Sequence, residues 1–244
     1  MNISLQLYSI AKAVGDDFQG AVKRVAEMGY DGVEFVGYYD LGAEEMKQLL
    51  AENSLYTVSS HCGGAAFDED LAQTLAYNKA LGSKYVILPW AKLEDKKDAE
   101  KVVSLLNRAS ELAKGYGLKV GYHNHNQEFN KIGGQYILDY IAEHTNDDVV
   151  LQLDVYWAAY AGVDPFAYIE KMGKKIELIH LKQIGAGKKN VALPEGDIDM
   201  EKVIRTAKYA TEFTVEQEPE SREETAAIWD ILKKNIEYLK GLAL

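Results

Sequence analysis

Sulfur is scarce in this chain. One cysteine, Cys62, stands among 244 residues, so no disulfide can form within it. That usage suits a reducing compartment. Proline is nearly as rare, with four residues, and no Pro-rich, low-complexity or linker-like tract divides the sequence. One domain over residues 1–244 is therefore expected. No apolar run approaches the ~18 residues of a membrane span. The opening "MNISLQLYSIAKAVGDDFQG" lacks a basic segment followed by an apolar one, which predicts no secretory signal. The expectation is a cytoplasmic protein with no membrane partner. Positive charge is also short. Lys and Arg number 27 against 38 Asp and Glu, a net charge of −11. A phosphate backbone selects for clustered cations, so no nucleic-acid partner is expected. A small anion needs only two or three local cations and is not excluded.

What is present is a 47% hydrophobic chain with a recurring pattern: a short strand-like run, a polar turn, an amphipathic helix. Eight runs read as strands: "ISLQLYS" (3–9), "GVEFVG" (32–37), "YTVSSH" (56–61), "YVILPW" (85–90), "KVGYHNH" (119–125), "VVLQLD" (149–154), "IELIHLK" (176–182) and "EFTVEQE" (212–218). Between them, Phe18, Val22, Val25 and Met28 keep the spacing of one buried helical face. Val102, Val103, Leu106, Ala109, Leu112 and Ala113 do the same further on. Asp164-Pro165 reads as an N-cap followed by Pro at the first helical position. Gly29, Gly82 and Gly117 each follow a helical run and precede a strand, as helix-ending glycines do. "SREETAAIWDILKKNIEYLK" (221–240) reads as a closing amphipathic helix. Eight alternations in a chain of this length predict an α/β fold, a single-domain (β/α)8 TIM barrel. An open doubly wound sheet is the rival. It is weakened because no Gly-x-Gly-x-x-Gly follows the first strand.

Such barrels build their sites at the C-terminal ends of the strands. Those ends hold Tyr8 and Ser9, then Glu34, His61, Trp90, His123 with His125, Asp154 with Trp157, His180 with Lys182, and Glu216 with Glu218. Four of the five histidines fall there; only His144 lies elsewhere, at a helix end. His123, Asp154, His180 and Glu216 are separated by 31, 26 and 36 residues, about one strand-helix unit each. Mixed imidazole and carboxylate donors without thiolate suit Mn²⁺, Co²⁺, Zn²⁺, Fe²⁺ or Mg²⁺. Glu34 ends an apolar strand and needs a partner, in a site or in a structural ion pair. His61 precedes two glycines that permit close approach to a ligand. Trp90 and Trp157 offer an apolar wall for a sugar ring, or ordinary rim packing. Lys182 points the same way as His180 and is expected to touch substrate. Cys62 reads as inert packing. The cationic "IGAGKKN" (184–190) reads as a mobile lid, with phosphate binding as the alternative.

In order along the chain, "YHNHNQEF", "LDVYWAAYAGVDP", "IHLKQ", "PEGDID" and "TVEQE" resemble the sugar phosphate isomerase/epimerase family, the xylose isomerase-like barrels. The resemblance runs from "GYDGVEFVG" to "TVEQE". It implies a divalent-metal enzyme acting on a small sugar, ketose, sugar phosphate or inosose, with metal donors Asp154, His180 and Glu216. The strand-five donor departs from the family's Glu; His123 or Glu128 would replace it. Gln183 departs too, standing where "HLKD" is common and removing a carboxylate that could orient Lys182. The catalytic candidates are Glu216, with Glu128, His123 or Glu34 as partner. Glu34, His61, Trp90, His125, Trp157 and Lys182 are the substrate contacts. The expected reaction is isomerisation or epimerisation by proton abstraction beside a metal-bound carbonyl. A lyase or dehydratase of a keto-sugar or inosose is the alternative, because it needs a less symmetric acid/base pair. The related abasic-site nucleases rank below both. A sugar-binding barrel without catalysis is the rival of another class. Oligomeric state is open, since barrels of this kind often associate.

Overall fold

The computed structural model describes residues 1–218 and 225–242. Eight parallel strands close into a barrel: β1 (Ile3–Gln6), β2 (Gly32–Phe35), β3 (Tyr56–His61), β4 (Tyr85–Leu88), β5 (Lys119–His123), β6 (Val150–Asp154), β7 (Ile176–Leu181) and β8 (Glu212–Val215). Each pairs with its neighbours in sequence, and β8 pairs with β1 through Leu5 opposite Val215 to complete the ring. The main helices between and after them are α1 (Phe18–Met28), α2 (Ala43–Glu52), α3 (Leu71–Leu81), α4 (Lys96–Lys114), α5 (Ile137–His144), α6 (Pro165–Met172), α7 (Met200–Thr206) and α8 (Thr225–Lys240). The expected TIM barrel is the fold. Of the closing segment, residues 221–224 lie outside the described residues; the remainder is α8.

Local chemistry sets the helix limits. The Asp17 carboxylate accepts from Gly20 N and starts α1. Asp95, Asp164 and Asp199 cap α4, α6 and α7 in the same way, with Pro165 opening α6. Gly29 and Gly82 end α1 and α3 at φ +96° and +88°, a region closed to most side chains. Val22 and Val25 are buried as expected. Leu112 is not: it is 42% exposed, because Ala109 and Ala113 carry the inner face of the last turns of α4.

The strands are shorter than their apolar patterns. Leu7–Ile10 turns into a 3-10 helix, so Tyr8 and Ser9 lie beyond β1. Trp90, Lys182, Glu216 and Glu218 likewise follow their strands. The barrel interior is filled low down by Val58, Tyr85, Ile87, Val150 and Leu178, with Tyr56 against them. Gly121 is what lets β5 pass this plug. A Cβ there would meet Ile87 Cδ1, Val150 Cγ2 and Val150 O, each at 2.8 Å. Above the plug the inward positions become polar, and the site begins.

Candidate active site

Ligand atoms of His123, Asp154, His180 and Glu216, from the ends of β5, β6, β7 and β8, all lie within 4.8 Å of one another. Adjacent strands put them there: Asp154 stands opposite His180, and Thr214 stands opposite His180 on its other side. All four are buried.

Two atoms of this group have nothing to bond. His123 Nε2 and Asp154 Oδ2 are buried without a hydrogen-bond partner, and they face each other at 3.8 Å. Leaving such atoms unsatisfied costs about 1–3 kcal/mol each. The rest of each side chain is fixed. His123 Nδ1 lies 3.4 Å from Pro89 O. Asp154 Oδ1 accepts from Trp157 N at 3.0 Å, capping the short helix Val155–Tyr160. Burial, then the neighbouring His180 and His61 charges, hold the His123 imidazole well below its usual pKa, so it is neutral with a free lone pair. Burial raises the Asp154 carboxyl, partly opposed by Lys182.

His180 lies between two carboxylates. Its Nδ1 is 2.7 Å from Glu216 Oε2, and its Nε2 is 2.7 Å from Glu34 Oε1. Burial opposes the charge, but these two acids raise its pKa to about 10. Glu34 in turn is fully enclosed. Gln6 Nε2 and Gln152 Nε2 donate to it at 2.5 Å each, Ser59 Oγ donates as well, and His61 Nε2 lies at 3.1 Å. Burial works against its charge, yet His61 and His180 hold it well below the carboxylate range. Ligand atoms of Glu34, His61 and His180 also lie within 4.8 Å. Both Glu34 oxygens already accept several donors, so this second group is a hydrogen-bond network that orients His180.

Lys182 is completely buried. Its Nζ donates to Glu218 Oε1 at 2.5 Å and Glu216 Oε1 at 3.3 Å, and lies 3.9 Å from Asp154 Oδ2. It sits under the Trp157 and Tyr156 rings, 4.9 and 5.1 Å from their centroids. It therefore neutralises the acids under the site. Burial opposes the Glu216 charge, but Lys182 and His180 keep this carboxyl well below its usual range.

A cavity of about 270 Å³ opens onto the cluster, and its walls include Gln6, Tyr8, His61, Trp90, His125 and Glu216. The His125 ring packs edge-on to His123 at 5.0 Å and beside Trp157 at 5.4 Å. Burial is the main reason its pKa falls to about 3.

Glu128 is not brought to this cavity. Its Oε1 accepts from Tyr122 OH at 2.7 Å and Gln127 Nε2 at 3.2 Å, and its Oε2 accepts from His125 N at 2.8 Å. The carboxylate pins the loop after β5, and His123 occupies the strand-five position. Gln183 likewise faces away from Lys182. Its amide donates to Leu193 O and Ile198 O and accepts from Ile184 N and Ile198 N, all at 2.9–3.0 Å. A carboxylate has no protons for those carbonyls, so the departure at this position is a requirement of the loop. Residues 184–190 belong to a hairpin, Gln183–Ile184 with Asn190–Val191. Lys188 Nζ donates to Tyr160 O, and Lys188 O accepts from Tyr156 OH, so two bonds join the hairpin to the short helix Val155–Tyr160. Cys62 is buried beside Tyr38 OH, and burial lifts its thiol to about 11.

The family profile described as xylose isomerase-like TIM barrel matches residues 22–241. The chain belongs to that family. Among solved structures, this xylose isomerase-like barrel is similar to a sugar phosphate isomerase/epimerase from Parabacteroides distasonis ATCC 8503. Identity is 24%, the match covers 99% of this chain and 94% of that one, and the TM-score is 0.86. It is also similar to the probable 3-DHS dehydratase AsbF of Bacillus anthracis, at 17% identity, 99% coverage of both chains and TM-score 0.77. A third is the IOLI protein with a binding zinc atom, at 15% identity, full coverage of both chains and TM-score 0.78. At these identities the likeness establishes the fold. No curated protein matches the chain in sequence.

Four residues of the barrel's site escaped sequence reasoning: Gln6, Ser59, Asn124 and Gln152. Asn124 brackets the Asp154 backbone, accepting from its N at 3.0 Å and donating to its O at 3.4 Å. Gln152 bridges Glu34 and His61. The available signal was the amide inside "SLQL" and "LQLD", a polar residue at an inward position of an apolar strand.

Proposed function

We propose that this barrel is a divalent-metal enzyme that abstracts a proton beside the carbonyl of a sugar or sugar-derived substrate, as an isomerase or epimerase. The observation that carries this reading is the pair of buried, unbonded atoms, His123 Nε2 and Asp154 Oδ2, facing each other beside His180 and Glu216. A neutral imidazole, two carboxylates and a second imidazole form a donor set for Mn²⁺, Co²⁺, Zn²⁺, Fe²⁺ or Mg²⁺. His180 would offer Nδ1, because Glu34 holds the Nε2 side and sets the tautomer. A bound ion supplies Lewis acidity at a substrate carbonyl and so acidifies the neighbouring C–H.

The chain's own groups do the remainder. Glu216 reaches the cavity wall ionised and takes the proton; its low pKa makes it a weak base, so it works only on an acidified carbon. Gln6, His61 and His125 face the cavity with hydrogen-bonding atoms for substrate hydroxyls. Trp157, expected at the substrate, does not line the cavity; it packs on His125 and holds that ring at the wall.

A lyase or dehydratase is the second reading, and one observation favours it. Glu34 and Glu128 are both saturated with hydrogen bonds, so neither is free to pair with Glu216 as a second carboxylate base. An elimination needs only one base and one acid of another kind.

The test is elemental mass spectrometry of purified protein beside His123→Ala and Asp154→Ala. About one ion per chain, lost in both variants, is the expected result. No ion in the wild type after incubation with Mn²⁺ or Zn²⁺ would remove the proposal. With metal established, solvent deuterium entering a ketose supports the isomerase, and loss of water supports the lyase.

A further inference from the structure

Six large apolar side chains are exposed among the described residues: Met1, Tyr8, Val36, Trp90, Leu112 and Tyr209. Three of them, Tyr8, Val36 and Trp90, line a cavity that leads to the histidine and carboxylate cluster. Their exposures are 37%, 38% and 56%, so a large part of each ring or branch meets water. They come from the turns after β1, β2 and β4, three separate segments converging on one mouth. Scattered exposed hydrophobics are ordinary, but a contiguous set at the rim of a polar cavity marks a binding surface.

The charged side chains among the described residues of this wall are acidic, and the cation beneath them is paired. Among the described residues that line the cavity there is no Lys or Arg, while Glu216 and Glu218 are both present. Lys182, beneath them, is committed to Glu216, Glu218 and Asp154. Among the described residues, a phosphate here finds no cation that is not already paired with a carboxylate. The cavity is also small. Its ~270 Å³ falls just below the ~300–1,000 Å³ of sites that enclose a drug-sized ligand. It has room for a single sugar ring, and anything attached to that ring must lie across the rim.

We infer that the substrate is an uncharged keto-sugar joined to a second neutral ring rather than a sugar phosphate: its reacting ring, which carries the carbonyl the proposed reaction needs, enters the cavity, and the second ring, sugar or aryl, rests on Tyr8, Val36 and Trp90. The apolar face of a pyranose or an aryl ring packs on Trp and Tyr faces, which desolvates both without placing a charge near Glu218. This assignment deepens the proposed function and rests on it for the position of the reacting ring. The rim itself is a property of the cavity and is measurable apart from metal.

The experiment is ligand-detected saturation-transfer NMR, with affinities by titration, on the full chain with and without Mn²⁺. The probes are neutral disaccharides and phenyl glycosides of several ring stereochemistries, the corresponding free monosaccharides, and their 6-phosphates. Trp90→Ala and Tyr8→Ala are measured alongside, with circular dichroism to verify folding. At least one two-ring probe should bind at least tenfold more tightly than its monosaccharide, its second ring should carry strong saturation, and Trp90→Ala should remove most of the gain. The 6-phosphates should bind no better than the free sugars. Tighter binding of a 6-phosphate, a two-ring advantage that survives in both variants, or no binding by any two-ring probe would each overturn the inference. Metal content of the same samples keeps the two ideas apart. A rim preference in protein that takes up no metal spares this inference and sinks the proposed function; metal uptake with a preference for phosphates does the reverse.

Discussion

Asp154 carries two jobs on two oxygens. Oδ1 caps a helix through Trp157 N, which freezes the carboxylate and leaves Oδ2 aimed at His123. Asp154→Asn keeps the shape and weakens the charge. Calorimetric titration with Mn²⁺ should show affinity at least 100-fold lower, with the fold intact by circular dichroism; unchanged affinity would remove Asp154 from the donor set. Gln183 makes a different point. Its amide serves two carbonyls and two N–H groups in the loop after β7. Gln183→Glu leaves Leu193 O and Ile198 O without a donor and brings a charge against them. Urea unfolding should show a loss of about 2 kcal/mol or more.

At the scale of the element, β5 is shaped by Gly121. Glycine normally weakens a strand, and replacing it with alanine is favourable by roughly 0.5–1 kcal/mol where there is space. Here a Cβ would meet backbone oxygen of Val150 and two core methyl groups at 2.8 Å. Gly121→Ala should therefore destabilise, by about 1–3 kcal/mol, measured as a lower urea midpoint. A rise in midpoint would mean that β5 and β6 have room to separate. Because His123 lies two residues along β5, the same change should also weaken Mn²⁺ binding. The loops behave as elements too. Glu128 and Asn124 hold the turn after β5, and Gln183 and Asn190 hold the hairpin after β7, so the donors at the strand ends are supported from above.

For the whole molecule, metal and pH act on one folding equilibrium. Saturation at 100 times Kd adds about 2.7 kcal/mol of stability. For a chain of this size that raises Tm by roughly 5–10 °C. Differential scanning calorimetry should show the rise in wild type and none in a His123→Ala/Asp154→Ala variant. Two histidines act on the pH dependence of metal-free protein in opposite senses. His180 is raised from 6.5 to about 10. Its contribution is full below pH 6.5 and is lost as pH climbs towards 10. His125 is depressed to about 3. The unfolded chain takes up its proton first, so stability falls as pH drops from 6.5 towards 3. Tm should be highest near pH 6–7. A metal at Nδ1 replaces the His180 proton, so loading at pH 8 should release about one proton per ion, measured by calorimetry in buffers of different ionisation enthalpy. Loading without proton release would mean that His180 is not a donor.

Much of this protein was legible in its sequence. The alternation of eight apolar runs with helical patterns implies the barrel, because burying a parallel sheet on both sides demands that order. Capping aspartates and ending glycines are local chemistry and lie within a few residues of what they control. The positions His123, Asp154, His180 and Glu216 followed from strand ends that share one mouth. Three things depended on contacts distant along the chain. Glu128 and His123 were equal alternatives until Tyr122 OH and His125 N were seen to occupy the glutamate. Lys182, expected to meet substrate, proved buried beneath the cavity among three acids. Tyr8, Val36 and Trp90 are three unrelated residues in sequence and one surface in space. Periodicity and capping are short-range and can be read along a line. Which side of a carboxylate is already bonded, and which apolar groups remain in water together, are decided only when the ring of strands closes.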